Sequence, residues 1–444
     1  MRFTLLEILG ATDGGQIGGT FVGNAFSSFH TDSREVMDGG VFFALKGAEM
    51  DGHDFVPGAI QRGAGLLVVE RRMESAPGVG QILVTSTWDA LYALAGFARD
   101  RVRPLVVAIT GSNGKTSTKE MVAAVLGTRY KVLRTSGNLN TETGVPLTML
   151  RLEPEHTALV LEMGMQRPGD IGRLVDLAQP SIGIVTNVGV VHIEFFGSQD
   201  ELAASKGELV AGLPESGLAV LNADDRYFDL LAGMTPAGVA SFGFAAGDFH
   251  AEDYRPVPEG GSTFSVRGTR VRLAVDGRHQ ALNALAALAA GDFAGVSIES
   301  GAEALSQVAI DHRMQEVAAP AGFVVVDDAY NASPESMLAA FAAMAERPPR
   351  GRLLAVLGEM RELGPLADES HRTVGRRAAE VFDTVCVVDG NHARVFAEAA
   401  GADIVPDRAA AVAWVRKNAR EGDRVLVKGS HGVHLDEVVK ELTR

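Results

Sequence analysis

Cysteine is almost missing from this sequence: Cys386 is the single one in 444 residues. That excludes an intrachain disulfide and any cysteine metal cluster. Its setting, Thr384-Val385-Cys386-Val387-Val388, reads as a buried strand rather than a reactive thiol site. Long apolar runs are also missing, and none reaches the length of a membrane span. The opening MRFTLLEILGATDG has no cationic segment ahead of a long apolar one, so no signal peptide is expected. Positive charge is in deficit, with 41 Lys+Arg against 56 Asp+Glu and a net charge of −15. Such a balance disfavours nucleic acid and anionic membranes as partners, so no nucleic acid and no membrane insertion are expected. Any anionic substrate must then be met by a local group of cations or by metal ions. A soluble, cytoplasmic protein is expected, and its length calls for two to four domains.

What is present is organised around Leu105 to Met121, LVVAITGSNGKTSTKEM. The β-branched run Leu105 to Ile109 predicts a buried strand, and a helix is expected to start within the turn that follows. Strand, glycine-rich turn with lysine and hydroxyl, then helix is the arrangement that cradles phosphates. Gly111 and Gly114 free the backbone N–H groups to close round an anion, with Ser112, Asn113 and Ser117 in the same turn. Lys115 would charge-match terminal phosphates and Thr116 would offer a hydroxyl to Mg²⁺. The strict pattern asks for a further glycine where Ile109 stands.

Residues 1 to about 100 mix short strands and helices. Strands are expected at 41–45, 66–70 and 81–85, a helix over 88–99, and a polar link at Arg101-Val102-Arg103-Pro104. From 105 onward strands alternate with helices, which implies parallel βαβ units. Strands are expected near 105–110, 157–163, 181–186 and 217–222, a hairpin over 263–275 and an alanine-rich helix over 282–294. A second alternating unit follows, with strands near 322–328, 352–357, 384–388 and 424–428. Its helices are expected near 335–346, 368–382 and 407–419. The expected fold is α/β with three domains. A small mixed α/β domain covers 1–102, a central P-loop domain with a parallel sheet that binds a nucleoside triphosphate covers 103–312, and a Rossmann-like domain covers 313–444.

Several strand ends carry chemistry. Glu162 closes strand 157–163 and is placed to hold Mg²⁺ near the phosphate loop. His192 follows the end of the next strand on the same sheet edge. Lys206, on the helix over 198–212, reads by residue type as a solvated surface charge. Arg34 and Lys46 likewise read as solvated loop charges. Asp327 and Asp328 end a strand beside Ser333-Pro334, where Ser333 suits a helix cap and Pro334 its first turn. Lys428-Gly429-Ser430-His431 ends the last strand as a cationic, donor-rich turn.

Read in order, TDSREV, FFALKG, DGHDF, TGSNGKTSTKE, GNLNTETGVPLT, LEMG, TNVGVVHIEFFGS, SKGEL, NADD, DDAYNASPESM, LGEMRELG and LVKGS resemble the Mur ligases of peptidoglycan synthesis. The likeness covers nearly the whole chain and is greatest to the member that joins D-alanyl-D-alanine to UDP-N-acetylmuramoyl-tripeptide. It implies ATP-dependent amide formation through an acyl phosphate. It implies two Mg²⁺ ions, with ligands matching Thr116, Glu162, His192 and Lys206, the last carbamylated by CO₂. Catalytic positions match Lys115, Glu162, His192 and Lys206. ATP contacts match 111–117 together with Asn283, Arg313 and Asp328. Ser33, Arg34 and Lys46 match the uridine-nucleotide end, and Asn138, Asn140 and Thr141 a loop near the muramoyl peptide. Asn331, Ser333 and the 428–431 turn match the place of the incoming dipeptide. A monomer is expected. The loop also follows this family's shorter pattern, which accounts for Ile109. Two departures stand out: Gln280 follows His279 where the family usually has asparagine, and His431 stands where arginine is common.

The nearest rival is a Mur ligase adding a single amino acid. The last domain has no Asp-Asn-Pro-Arg segment, the motif associated with diaminopimelate addition, and LGEMRELG fits the dipeptide-adding type. A folylpolyglutamate synthase-like ligase fits the nucleotide fold but not the TDSREV and DGHDF segments. A P-loop switch protein would share the loop alone. Because Arg313 and Asp328 lie beyond the central domain, productive geometry is expected to need the last domain to swing in.

Overall fold

The computed structural model describes residues 1–18, 25–74 and 76–444. The chain separates into two compact units. The first takes in 1–108, 130–165 and 170–181, and the second 109–129, 166–169 and 182–444. No helix among the described residues is long and apolar enough to cross a membrane.

In the first unit, strands Phe29–His30, Val41–Phe43, Leu66–Val69 and Gly80–Leu83 pair in parallel, and Gly15–Gly18 closes the sheet antiparallel to Gly80–Leu83. Alternation of side chains puts Phe42, Leu67 and Val69 into one core with Val56 and Ala59 of helix Val56–Gln61. Helix Thr87–Val102 is capped by Ser86, which accepts the Asp89 N–H. The helix runs through Arg101 and Val102, so the expected polar link shrinks to Arg103 and Pro104. Arg103 ends it in the left-handed C-cap conformation, φ +53°, with its N–H bonded to the Arg99 carbonyl and Pro104 following. Strand Ala158–Glu162 pairs in parallel with Val132–Arg134.

The second unit carries strands Ile182–Val185, Leu218–Asn222, Gly238–Gly243 and Phe249–His250, each parallel to the next. The expected hairpin is present as Ser262–Val266 and Thr269–Leu273, turned at Arg267 and Gly268, both at positive φ. That is the two-residue turn whose twist suits a hairpin. A third strand, Glu252–Pro256, joins it. The alanine-rich helix starts earlier than expected and spans Arg278–Phe293.

The remainder of that unit is a six-stranded sheet in the order Gln315–Ala318, Val324–Asp327, Arg424–Lys428, Leu353–Leu357, Thr384–Val388, Asp403–Val405. All neighbours are parallel except the antiparallel edge Gln315–Ala318. The four inner strands are buried on both faces, so each face builds a core. Val326, Leu357, Val387 and Leu426 meet Phe341, Val374 and Phe396 on one side. Val325, Val356, Cys386 and Val427 meet Trp414, Val415 and Val438 on the other. Helices on both faces of a parallel sheet direct its strand carboxyl ends to a common edge, where ligands bind in such folds. Cys386 is fully buried and its thiol is pushed up to about 12 by that burial, which keeps it inert.

Candidate active site

The strand Leu105–Thr110 turns through Gly111–Gly114 into helix Lys115–Gly127. Both glycines are at positive φ, +144° and +82°. Packing adds a second reason for glycine: a Cβ on Gly111 would lie 1.9 Å from Thr186 Oγ1, and one on Gly114 2.5 Å from Asn283 Oδ1. The following strand's end braces the loop. Ser112 and Asn113 donate their N–H groups to the Asn187 carbonyl and side-chain oxygen at 2.9 and 3.0 Å. Thr186 Oγ1 and Asn187 Nδ2 donate to the Asn113 carbonyl at 2.6 and 3.0 Å. Those two loop N–H groups are thus committed to holding the turn. At the start of the helix that follows, Gly114 supplies no side-chain cap. Lys115 Nζ donates to the carbonyls of Gly111 and Ser112 at 2.7 and 3.2 Å, which holds its charge over the loop.

Lys206 departs from its residue-type expectation. Helix Gln199–Ala211 is buried round most of its circumference: a Cβ on Gly207 would come within 2.4 Å of Met234 Sδ. Lys206 is 1% exposed, and no carboxylate pairs with it among the described residues. Burial first, and the nearby Lys115 charge second, pull its ammonium well below the usual lysine range. The charged form of Lys206 is disfavoured at this position.

His192 sits in the left-handed conformation, φ +67°, and its Nδ1 pairs with Glu362, itself at φ +61°. Left-handed non-glycine residues are strained and persist where surrounding structure fixes them. The His192 hydrogen bond holds the Glu362 carboxyl below its usual range, against its partial burial. The loop after Val324–Asp327 is tied to the same region. Ser333 caps helix Pro334–Glu346 in a reciprocal capping box with Ser336, with Pro334 in the first turn. Its hydroxyl also donates to Asn113 Oδ1 at 2.9 Å. Glu335 accepts the Val190 N–H at 2.9 Å.

Asp328 and Lys428 form a buried pair at 2.6 Å, and Lys428 also donates to the Asn331 carbonyl at 3.0 Å. Burial lowers the Lys428 pKa although Asp328 opposes it. Asp327 accepts from His312 at 2.6 Å, and its burial raises its carboxyl above the usual range. Arg313 lies over the Tyr330 ring at 4.3 Å, with the His431 ring 5.7 Å from the same tyrosine. Asn283 accepts from Thr118 Oγ1 at 3.2 Å and donates to Gln280 Oε1 at 3.0 Å, so Gln280 orients Asn283.

His279 is partly buried, and its pKa falls to about 4. Burial is the main cause, opposed by Asp328 and reinforced by Lys428 and Arg313. With the folded value below the unfolded 6.5, the unfolded chain binds more protons between those values, so stability falls as pH drops through that window. Discounted for partial exposure, moving from pH 7 to pH 5 costs roughly 1–2 kcal/mol. Denaturant melts of the protein and of His279→Gln at both pH values check this. The variant is expected to lose that part of the pH dependence.

In the first unit, Glu162 is 2% exposed and accepts from Asn140 Nδ2 at 2.8 Å. Asn138 accepts the Asn140 N–H through its carbonyl at 2.8 Å, and Thr141 Oγ1 accepts the Gly144 N–H at 3.2 Å. Arg34 forms a fork with Asp32, at 3.0 Å from Nε and 2.6 Å from Nη2, and is 86% exposed. Ser33 is partly buried near Gly58, and the Lys46 carbonyl accepts from Trp88 Nε1 at 2.9 Å.

Thr186, Asn187, Glu335 and Glu362 were not among the candidates read from sequence. TNV and ELG were visible as motif letters, but their contacts join segments far apart in the chain.

Successive segments match three family descriptions: "Mur ligase family, catalytic domain" over 26–101, "Mur ligase middle domain" over 109–291, and "Mur ligase, glutamate ligase domain" over 312–431. The chain is similar to the UDP-N-acetylmuramoyl-tripeptide–D-alanyl-D-alanine ligase of Bacillus subtilis strain 168. The two are 35% identical over 426 residues, covering 93% of this chain and 92% of that protein. A solved structure of MurF from Acinetobacter baumannii superposes with a TM-score of 0.90 at 29% identity, covering 100% of this chain and 99% of that one. MurF ligase from Thermotoga maritima, solved in complex with ADP, gives 0.83 at 31% identity, covering 94% and 97%.

Proposed function

The chain belongs to the Mur ligase family, and on that footing we infer that it is the ATP-dependent ligase joining D-alanyl-D-alanine to UDP-N-acetylmuramoyl-tripeptide in peptidoglycan synthesis. The observation that carries the chemistry is the braced phosphate loop with Lys115 over it and a buried Lys206 beside that charge.

Lys115 and the first-turn N–H groups hold the terminal phosphates of ATP and offset their charge. The peptide carboxylate attacks the γ-phosphorus and ADP leaves, giving an acyl phosphate. The dipeptide nitrogen then attacks the acyl carbon, the C–N bond forms, and the carbon–oxygen bond to phosphate breaks with its electron pair leaving on phosphate. Asn283, Arg313 and Asp328 are proposed to contact the nucleotide, and Ser33, Arg34 and Lys46 the uridine end. Asn138, Asn140 and Thr141 are proposed to line the muramoyl peptide, and Asn331, Ser333 and the 428–431 turn the dipeptide.

Thr116, Glu162, His192 and a carbamylated Lys206 are the residues that would hold Mg²⁺, which supplies further charge neutralisation at the phosphates. The donor set fits. Glu162 offers a buried carboxylate bonded by Asn140, and burial disfavours the charged form of Lys206, the form that lacks the lone pair CO₂ requires. The carbamate would give that side chain a negative charge. We also propose the domain limits 1–102, 103–312 and 313–444, and a monomer acting in the cytoplasm.

Phosphate release from ATP is expected only when both a UDP-muramoyl-tripeptide and D-alanyl-D-alanine are present. Release indifferent to the two substrates would instead mark a nucleotide switch.

A further inference from the structure

Glu335 is the first residue after Pro334 in helix Pro334–Glu346, and its two carboxylate oxygens have different surroundings. Oε1 accepts the Val190 N–H at 2.9 Å. Oε2 is buried and has no hydrogen-bond partner among the described residues. The carboxyl group lies against Gly189, where a Cβ would come within 2.8 Å of the Glu335 Cδ and 3.1 Å of Oε2, so the bare glycine backbone makes room for the acid. Two hydrogen bonds place this group beside the nucleotide loop. Gly189 donates its N–H to Ser112 Oγ at 2.9 Å, and Ser333, two residues before Glu335, donates to Asn113 Oδ1 at 2.9 Å.

A buried carboxylate oxygen without a donor is costly, more so than a neutral acceptor. Holding the Val190 N–H needs only a neutral oxygen, so the charge and the second oxygen call for another explanation. We propose that Glu335 Oε2 receives the ammonium group of the incoming D-alanyl-D-alanine and takes one proton from it before acyl transfer. The inference rests on the ligase reading above. A single carboxylate oxygen among backbone N–H donors falls short of the oxygen ligands a divalent cation takes, whereas an alkylammonium is oriented by one strong charge-assisted acceptor.

The step balances. The ammonium passes one proton to Oε2, leaving Glu335 as the acid and the nitrogen with its lone pair. That pair forms the C–N bond at the acyl carbon. The acyl carbon–oxygen bond breaks with its electrons going to phosphate, and the second nitrogen proton leaves with phosphate. Glu335 afterwards returns its proton to solvent.

The test compares two nucleophiles on Glu335→Gln, which keeps an oxygen for Val190 N–H and loses the charge. With ATP and UDP-muramoyl-tripeptide, kcat/KM for D-alanyl-D-alanine is expected to fall about 100-fold. Hydroxylamine is already unprotonated at neutral pH, and its capture of the acyl group as hydroxamate is expected to stay within about twofold of the native rate. Equal loss on both nucleophiles would reduce Glu335 to a brace for Val190 and overturn the proposal, as would no loss on either. Should the glutamine variant not fold, Glu335→Asp is expected to show the same split with a smaller drop, and an even loss there is equally decisive against it. A native enzyme that makes hydroxamate but no dipeptide product overturns the ligase reading itself, and this inference with it.

Discussion

Lys115→Met is expected to lower kcat/KM for ATP by about 10²–10³-fold while leaving the fold intact. The expectation comes from where the charge sits. Lys115 Nζ lies 2.7 Å from the Gly111 carbonyl, drawn over a loop whose glycines cannot carry side chains and whose Ser112 and Asn113 N–H groups are already bonded to Asn187. Removing one preorganised donor from a developing anion costs about that much. Methionine keeps the length and the apolar stem, so thermal melting should move little while steady-state ADP formation collapses. Activity retained within about threefold would remove the loop from the chemistry.

The second large effect is expected at Lys206. Its ammonium is buried, has no carboxylate partner among the described residues and lies near Lys115, so the charged form is disfavoured by burial first and by repulsion second. Lys206→Met therefore removes a group that costs stability when charged and should melt no lower than the native protein. Its activity should nevertheless fall by about 10²-fold or more, because the carbamate proposed for this lysine could no longer form to hold the proposed Mg²⁺. Native enzyme stripped of CO₂ should lose activity and regain it with bicarbonate. Lys206→Met and Lys206→Ala should not respond. Labelling with ¹³C-bicarbonate should give a carbamate resonance in the native protein alone. Full activity in Lys206→Ala, or no resonance, would sink the carbamate role.

Much of the architecture was legible because it is written locally. Leu353–Leu357 and Arg424–Lys428 are short apolar runs bounded by turn residues, as strands buried on both faces must be. Ser333-Pro334 announced a helix start through capping chemistry alone. The nucleotide loop was visible as a spacing. The structure changed the reason for its glycines, which answer to Thr186 and Asn283 as well as to backbone conformation. Strands such as Val132–Arg134 and Asp403–Val405 went unread because three residues cannot establish a period.

The burial of Lys206 was illegible for another reason. Gln199–Ala211 mixes acids, alanines and a glycine, so no apolar stripe marks its inner side, and Ala203 and Val210 are buried in a core with Val185, Leu221 and Leu231 from other segments. Glu335 against Gly189 joins residues from distant parts of the chain, and nothing in either local sequence announces it. The Ser333–Asn113 and Glu335–Val190 bonds likewise join residues far apart in the chain.

The most direct measurement offers the purified protein ATP with UDP-N-acetylmuramoyl-tripeptide and, in parallel, D-alanyl-D-alanine, lysine or diaminopimelate, and identifies the products by mass. Ligated product with D-alanyl-D-alanine alone, formed in step with ADP, is the predicted result. Product with a single amino acid in place of the dipeptide, or ADP formed without any ligated product, would contradict it.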